Sequence, residues 1–179
     1  MPNTLLWADA TADDLPLLQS LRFGNQPYEL EISDWLSQDA GKFLGQNGNF
    51  IWAYFNRSGD CVGFTSLSTA LWNLTGSGGC SALVDIMYIP ALGIDKRFHS
   101  VGSGEIPFPD RYLGQMLNHV IQEATKRKRT RDKLGLLTHP DNGKAADIYQ
   151  SKCGFEKLPL YYFVDSNPET PYFQWIRKI

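Results

Sequence analysis

The chain has 179 residues, of which 42% are hydrophobic and 20% charged, a composition that supports one domain with a real core and excludes disorder throughout. A net charge of −2 and a pI of about 5.9 give no global pull towards nucleic acid. No run approaches the roughly 18 apolar residues a membrane span needs, the N-terminus lacks the layout of a secretory signal, and three cysteines without CxxC spacing fit neither a disulfide framework nor a metal site. The expectation is a cytoplasmic protein without a membrane partner.

In chain order, Thr11-Ala12-Asp13-Asp14-Leu15-Pro16 carries helix-start chemistry, followed by Leu17, Leu18 and Leu21. A second helix is expected over Leu30–Ala40, with Leu30, Ile32, Trp35 and Leu36 as its apolar stripe. Asn49–Phe55 and Cys61–Leu67 flank Arg57-Ser58-Gly59-Asp60 and read as a β-hairpin. Thr75–Gly79 reads as a loop, and Ser81–Ile94 as a strand interrupted by Pro90 and Gly93.

After a loop over Asp95–Pro109, Asp110 is expected to cap a helix running to Arg127, with Leu113, Met116, Leu117, Val120, Ile121 and Ala124 at helical spacing. The run Lys126–Lys133 ends that helix; it reads as a solvated helix end, with a polyanion contact as the alternative. Leu134–Thr138 is a short buried strand, and Asn142–Lys152 a helix stopped by Cys153-Gly154. Leu160–Val164 and Tyr172–Ile176 close the fold as strands. This order predicts one α/β domain over residues 1–179, with a single central, mostly antiparallel sheet and helices on both faces.

The segment His139–Phe155 carries the chemistry. Asn142 is followed three residues later by Ala145 and seven later by Tyr149, and Gly154-Phe155 lie five and six beyond the tyrosine. In this strand–helix–strand setting the pattern resembles the GNAT acetyltransferase superfamily. Tyr149 lies two turns beyond the capping Asn142, roughly 10 Å along the axis, so one helix face can carry both along an extended ligand. The resemblance implies acetyl-CoA as co-substrate, Asn142 as a coenzyme contact, and Tyr149 as the general acid that protonates the departing thiolate, a role open to a phenol.

Upstream, His99-x-x-Gly102-x-Gly104 resembles the family's pyrophosphate loop, with His where the family has Gln or Arg. The resemblance implies phosphate contacts from His99, Val101, Gly102, Ser103 and Gly104, where glycines let amide groups approach the charge. It also implies strand amides at Leu92 and Ile94 that orient the pantetheine. Glu105-Ile106-Pro107-Phe108-Pro109 departs from the family, because two prolines forbid a helix starting directly after the loop. A second register places Arg111 and Gly114 at the helix start, with Arg111 on phosphate.

Asp85 and Glu105 are the candidate general bases, while His119 and His139 lack partners at catalytic or metal-binding spacing. Val101–Gly104 does not complete a dinucleotide fingerprint. Phe23-Gly24-Asn25, Trp35-Leu36, Ile51–Phe55 and Val62-Gly63-Phe64 resemble the GNAT branch of toxins that acetylate aminoacyl-tRNA, where this chain has Ser33-Asp34-Trp35-Leu36 in place of an Asp-x-Phe-Leu segment. The expected function is acetyl transfer from acetyl-CoA to a primary amine by direct attack in a ternary complex. The candidate partners are a small-molecule, peptide or aminoacyl amine acceptor, tRNA, and a second copy of the chain. A degenerate GNAT fold serving only as a binding module is the alternative.

Overall fold

The structure, a computed structural model, describes residues 4–75, 81–99, 106–164 and 167–179. In chain order its elements are β1 (Leu6–Asp9), α1 (Leu15–Gln19), α2 (Pro27–Gln38), α3 (Ala40–Leu44), β2 (Phe50–Phe55), β3 (Cys61–Thr75), β4 (Ser81–Ile89), β5 (Leu92–Ile94), α4 (Tyr112–Arg127), β6 (Lys133–Thr138), α5 (Gly143–Cys153), β7 (Glu156–Val164) and β8 (Asn167–Lys178). Short 3-10 turns lie at Ala12–Asp14, Lys96–Phe98 and Phe108–Asp110. Two compact units emerge, Met1–Leu67 with Ala91–Gln122, and Ser68–Pro90 with Glu123–Ile179. The fold is mixed α/β, and among the described residues every strand pair is antiparallel except β4 with β6.

In the first unit, β2 pairs with β1 and with the first half of β3, which in turn pairs with β5. Strand alternation sorts β2 into two faces. Ile51 and Ala53 join Phe64 in a core with Leu18, Leu36 and Ala40 from α1, α2 and α3 and with Leu21 just after α1. Trp52 and Tyr54 point the other way and meet His119 of α4. Helices therefore cover both faces of this half. The Tyr54 hydroxyl lies 2.8 Å from Thr65 Oγ1 and 2.7 Å from His119 Nδ1, so these buried polar groups satisfy one another.

In the second unit the second half of β3 pairs with β4, β4 runs parallel to β6, and β8 lies between β6 and β7. Gly135 of β6 has a packing role. A Cβ there would lie 2.6 Å from Ile86 and 2.8 Å from the Trp72 indole, so the bare backbone makes room for both. Trp175 Nε1 donates to Thr138 Oγ1 at 2.8 Å, anchoring β8 to the end of β6.

Several elements differ from expectation. β1 is additional: its four residues are all exposed and carry no alternation. The second helix starts at Pro27, because Gln26 and Glu29 form a capping box ahead of it. Asp110 does not cap α4 but ends a 3-10 turn, and the helix starts at Tyr112. Pro90 breaks the Ser81–Ile94 strand, whereas Gly93 lies inside β5. A Cβ on Gly93 would meet the Phe23 ring at 2.5 Å, so this glycine serves close packing and not interruption. Thr75 belongs to β3, and 76–79 lie outside the described residues.

Much of the basic run is engaged within the chain. Glu123 takes both Lys126, at 2.6 Å, and Arg127. Lys128 donates to the Ile179 carbonyl at 2.8 Å, Arg131 pairs with Asp85 at 2.7 Å, and Lys133 with Asp132 at 3.1 Å.

Candidate functional site

In the first unit, β5 presents one free-facing edge of main chain. Asp95 N–H donates to the Val62 carbonyl and Ser66 N–H to the Ala91 carbonyl. Residues 91, 93 and 95 therefore turn their peptide groups towards β3, and antiparallel geometry directs those of Leu92 and Ile94 away from it. Among the described residues β5 pairs with no strand but β3. Ser66 secures the break: its hydroxyl donates to the Ala91 carbonyl at 2.7 Å while accepting from Ala91 N–H at 2.9 Å.

The far end of β5 is held by Asp95, a buried carboxylate. It accepts from Arg22 N–H at 3.1 Å, from Arg97 N–H at 2.9 Å, and from the Arg97 guanidinium at 2.9 and 3.1 Å. Burial acts to raise its pKa, but the donors of Arg97 and Arg22 outweigh that and hold the carboxyl below its ordinary value. His99 is exposed and its Nε2–H donates to the Ile94 carbonyl at 2.8 Å, which fixes its tautomer and folds the chain back on β5. Val101, Gly102, Ser103, Gly104 and Glu105 lie outside the described residues.

Arg111 and Gly114 sit at the start of α4. Arg111 spends its Nε on the Ile106 carbonyl at 2.8 Å, and its own carbonyl accepts from Gln115 N–H at 2.9 Å as the helix's first bond. The first-turn amides therefore belong to Tyr112, Leu113 and Gly114. The Phe108–Asp110 turn packs against this helix start, with the Phe108 carbonyl 1.9 Å from where a Gly114 Cβ would stand. Gly114 is thus required by packing, whatever else it binds.

In the second unit, Asn142 caps α5 as expected, its side-chain oxygen accepting from Ala145 N–H at 3.2 Å. Gly154 closes the helix in the left-handed conformation at φ 67°, where glycine avoids a Cβ clash. Tyr149 is buried in the penultimate turn, and its ring meets Phe155 edge-on at 5.9 Å. Burial, then the nearby Cys153, push the phenol's pKa up, so Tyr149 keeps its proton at neutral pH. Burial likewise pushes the Cys153 thiol up to about 11, which makes it inert as a nucleophile.

The candidate base Asp85 is half-exposed on β4 and bound to Arg131 at 2.7 Å, so its charge is already answered. His139 Nδ1 stands 3.7 Å from the exposed Asp141 carboxylate and accepts from Asp141 N–H at 3.1 Å. Sequence reasoning gave Ser66 no role and took Asp95 only as the acid before the loop; the Ala91 partner of Ser66 lies 25 residues away and the Arg22 partner of Asp95 lies 73 away. It also passed over a ring cluster formed by Trp72, Tyr88, Tyr162 and Tyr172. The aromatic richness of the Tyr161–Phe163 run was the available signal.

No protein-family model matches the chain, and no curated protein matches it by sequence. Solved structures do match over nearly its whole length. Arabidopsis thaliana NAA60 in complex with a bisubstrate analogue has a TM-score of 0.64 at 15% identity, covering 98% of each chain. The ribosomal-protein-S18-alanine N-acetyltransferase from Escherichia coli has 0.60 at 17%, covering 98% of this chain and 94% of the other. A mutant of the toxin AtaT bound to the C-terminus of the antitoxin AtaR has 0.60 at 13%, covering 98% and 92%. At such identities the likeness shows the fold.

Proposed function

We propose that this chain, whose fold is that of the GNAT N-acetyltransferases, transfers an acetyl group from acetyl-CoA to a primary amine by direct attack. The observation that carries the reading is Tyr149: a protonated, buried phenol on α5, a helix capped by Asn142 and closed by Gly154. The outward main chain of Leu92 and Ile94 supports it as a hydrogen-bonding edge for the pantetheine amides, with the Ile94 carbonyl already shared with His99. Amides of Tyr112, Leu113 and Gly114 at the positive end of α4 would carry the pyrophosphate, together with the 99–104 segment.

In the reaction, the amine lone pair forms a bond to the thioester carbonyl carbon, the C–S bond breaks, and sulfur takes the Tyr149 proton. The amide nitrogen then sheds one proton to solvent and the phenolate regains one, so protons balance. An ordinary phenol at about 10 is a weaker acid than a thiol at about 8.5, which makes the transfer uphill by about 2 kcal/mol. Low-dielectric surroundings that raise the phenol also raise the proton affinity of a thiolate formed beside it, which keeps the mismatch small. Asp85, bound to Arg131, is a poor base, and solvent or Glu105 takes that role.

The test is calorimetric titration with acetyl-CoA together with mass detection of acetylated amine. Saturable binding with product formation supports the reading, and no binding at millimolar acetyl-CoA overturns it. A second reading, a binding module without turnover, is favoured by the Phe108 turn packed on the helix start at Gly114. It predicts coenzyme binding, or none, with no product from any amine.

A further inference from the structure

Arg177 of β8 grips the end of α5. Its Nη1 donates at 2.5 Å to the carbonyl of Cys153, one of the terminal carbonyls that no residue of the helix itself can satisfy. That carbonyl and the Gly154 N–H belong to one peptide unit, which is a rigid plane. The Gly154 N–H in turn donates to the Tyr149 carbonyl, which also accepts from Phe155 N–H at 3.0 Å. A single peptide plane is therefore held at one edge by Arg177 and at the other by Tyr149.

A second path joins the same residues. The Arg177 guanidinium lies 6.0 Å from the centre of the Phe155 ring, and that ring meets the Tyr149 ring edge-on at 5.9 Å and 61°. Phe155 and Tyr149 are both buried, so the contact is enclosed. Among the described residues Arg177 pairs with no carboxylate, and the Tyr149 hydroxyl makes no hydrogen bond. The phenol is aimed by its main chain and by its ring neighbour, and Arg177 touches both supports.

Resting on the acetyltransfer reading, we infer that Arg177 is a positioning residue for the proton donor, aiming Tyr149 through the turn that closes α5. A cation at a helix C-terminus complements the helix dipole. A donor on one end of a peptide unit also polarises it and strengthens the hydrogen bond made at the other end, which here tightens the turn onto Tyr149. An ordinary helix cap would add stability and leave the chemistry alone. This one differs because both N–H groups of the turn close on the tyrosine's own carbonyl. A displacement of about 1 Å at a reacting group can cost 10²-fold in rate, so a loosened turn shows in kcat and not in coenzyme affinity.

The experiment is a double-mutant cycle of Arg177→Gln with Tyr149→Phe, with Arg177→Lys and Lys178→Ala alongside. Turnover is followed with acetyl-CoA and whichever of alanine amide, lysine amide and spermidine the wild type acetylates fastest. Arg177→Gln should lower kcat about tenfold and leave the KM for acetyl-CoA within about twofold. In the Tyr149→Phe background the same substitution should change kcat by less than about twofold, because the donor it aims is gone. Arg177→Lys keeps the charge at the helix end and should recover part of the loss, while Lys178→Ala, at the exposed neighbouring position, should match the wild type. Should Arg177→Gln fail to fold, Arg177→Lys takes its place in the cycle. Amide exchange at Gly154 needs no turnover and should quicken about tenfold in Arg177→Gln. Unchanged exchange, or an equal fall in kcat with and without the Tyr149 hydroxyl, overturns the inference while acetyl transfer stands. Product from none of the three amines with the wild type overturns the acetyltransfer reading.

Discussion

The carbonyl oxygen of Phe108 fills the place beside Gly114 that any side chain would need, 1.9 Å from an added Cβ. Gly114 lies in the first turn of α4 and is buried. Two effects oppose each other in Gly114→Ala. Alanine gains up to about 1 kcal/mol of helix propensity, whereas forcing a methyl against a backbone carbonyl costs about 1–3 kcal/mol. The blocking atom is main chain and cannot rotate away, so the clash wins. The urea midpoint should fall; a midpoint at or above the wild type would show that the turn yields freely.

Tyr149→Phe removes one hydroxyl and keeps the ring against Phe155 at 5.9 Å. Loss of a positioned proton donor costs about 10²–10⁴-fold in rate, so kcat should drop by that order. Acetyl-CoA affinity and the thermal midpoint should stay near the wild type. A variant with full turnover would remove Tyr149 from the chemistry, and one with lost affinity would recast it as a coenzyme contact.

The α5 region was legible because its signals are local. An N-cap, a tyrosine two turns on and a glycine stop all fall within Asn142–Gly154, and each is decided by backbone chemistry over a few residues. The hairpin of β2 and β3 was legible for the same reason, through its turn residues and alternating runs. β5 was only half legible. Pro90 announced the break, but the hydroxyl of Ser66 that secures it is 25 residues distant, and Gly93 resembled a breaker until Phe23 was seen against it. The start of α4 misled because Asp110 is a good cap by type. Pro107 and Pro109, both just ahead of it, drew it instead into a 3-10 turn whose C-cap is Arg111. The ring cluster depends on four strand registers at once, and no window of sequence contains them.

Asp95 links stability to acid. Its folded pKa lies below the ordinary carboxylate value, held there by Arg97 and Arg22 against the opposing effect of burial. Such a group contributes stability above its unfolded pKa of about 3.9, and that contribution is lost as pH falls through the folded value. Asp95→Asn should therefore lower stability at pH 7 by about 1–3 kcal/mol, the cost of unpaired buried donors, and flatten the acid limb below pH 4. Chemical denaturation at several pH values reads both. An acid limb identical to wild type would assign the loss to other carboxylates.

Tyr54→Phe tests the buried polar contact between β2, β3 and α4. The ring would stay, packed at 5.6 Å from His119, but Thr65 and His119 would each lose the hydroxyl that now lies 2.8 and 2.7 Å away. Burial raises the phenol's pKa, so at neutral pH the group removed is an uncharged hydroxyl that can donate one hydrogen bond and accept another. Stranding two buried groups costs about 1–3 kcal/mol, and at this chain length each kcal/mol lowers the midpoint by about 2–4 °C. The apolar gain from phenylalanine is small by comparison, because the hydroxyl's space is enclosed and its neighbours are polar. Differential scanning calorimetry should show a midpoint lower by about 2–12 °C. Replacing both Tyr54 and Thr65, by Phe and Val, should recover part of that loss, since fewer polar groups are then left without a partner. A single variant as stable as the wild type would mean that water had taken the hydroxyl's place.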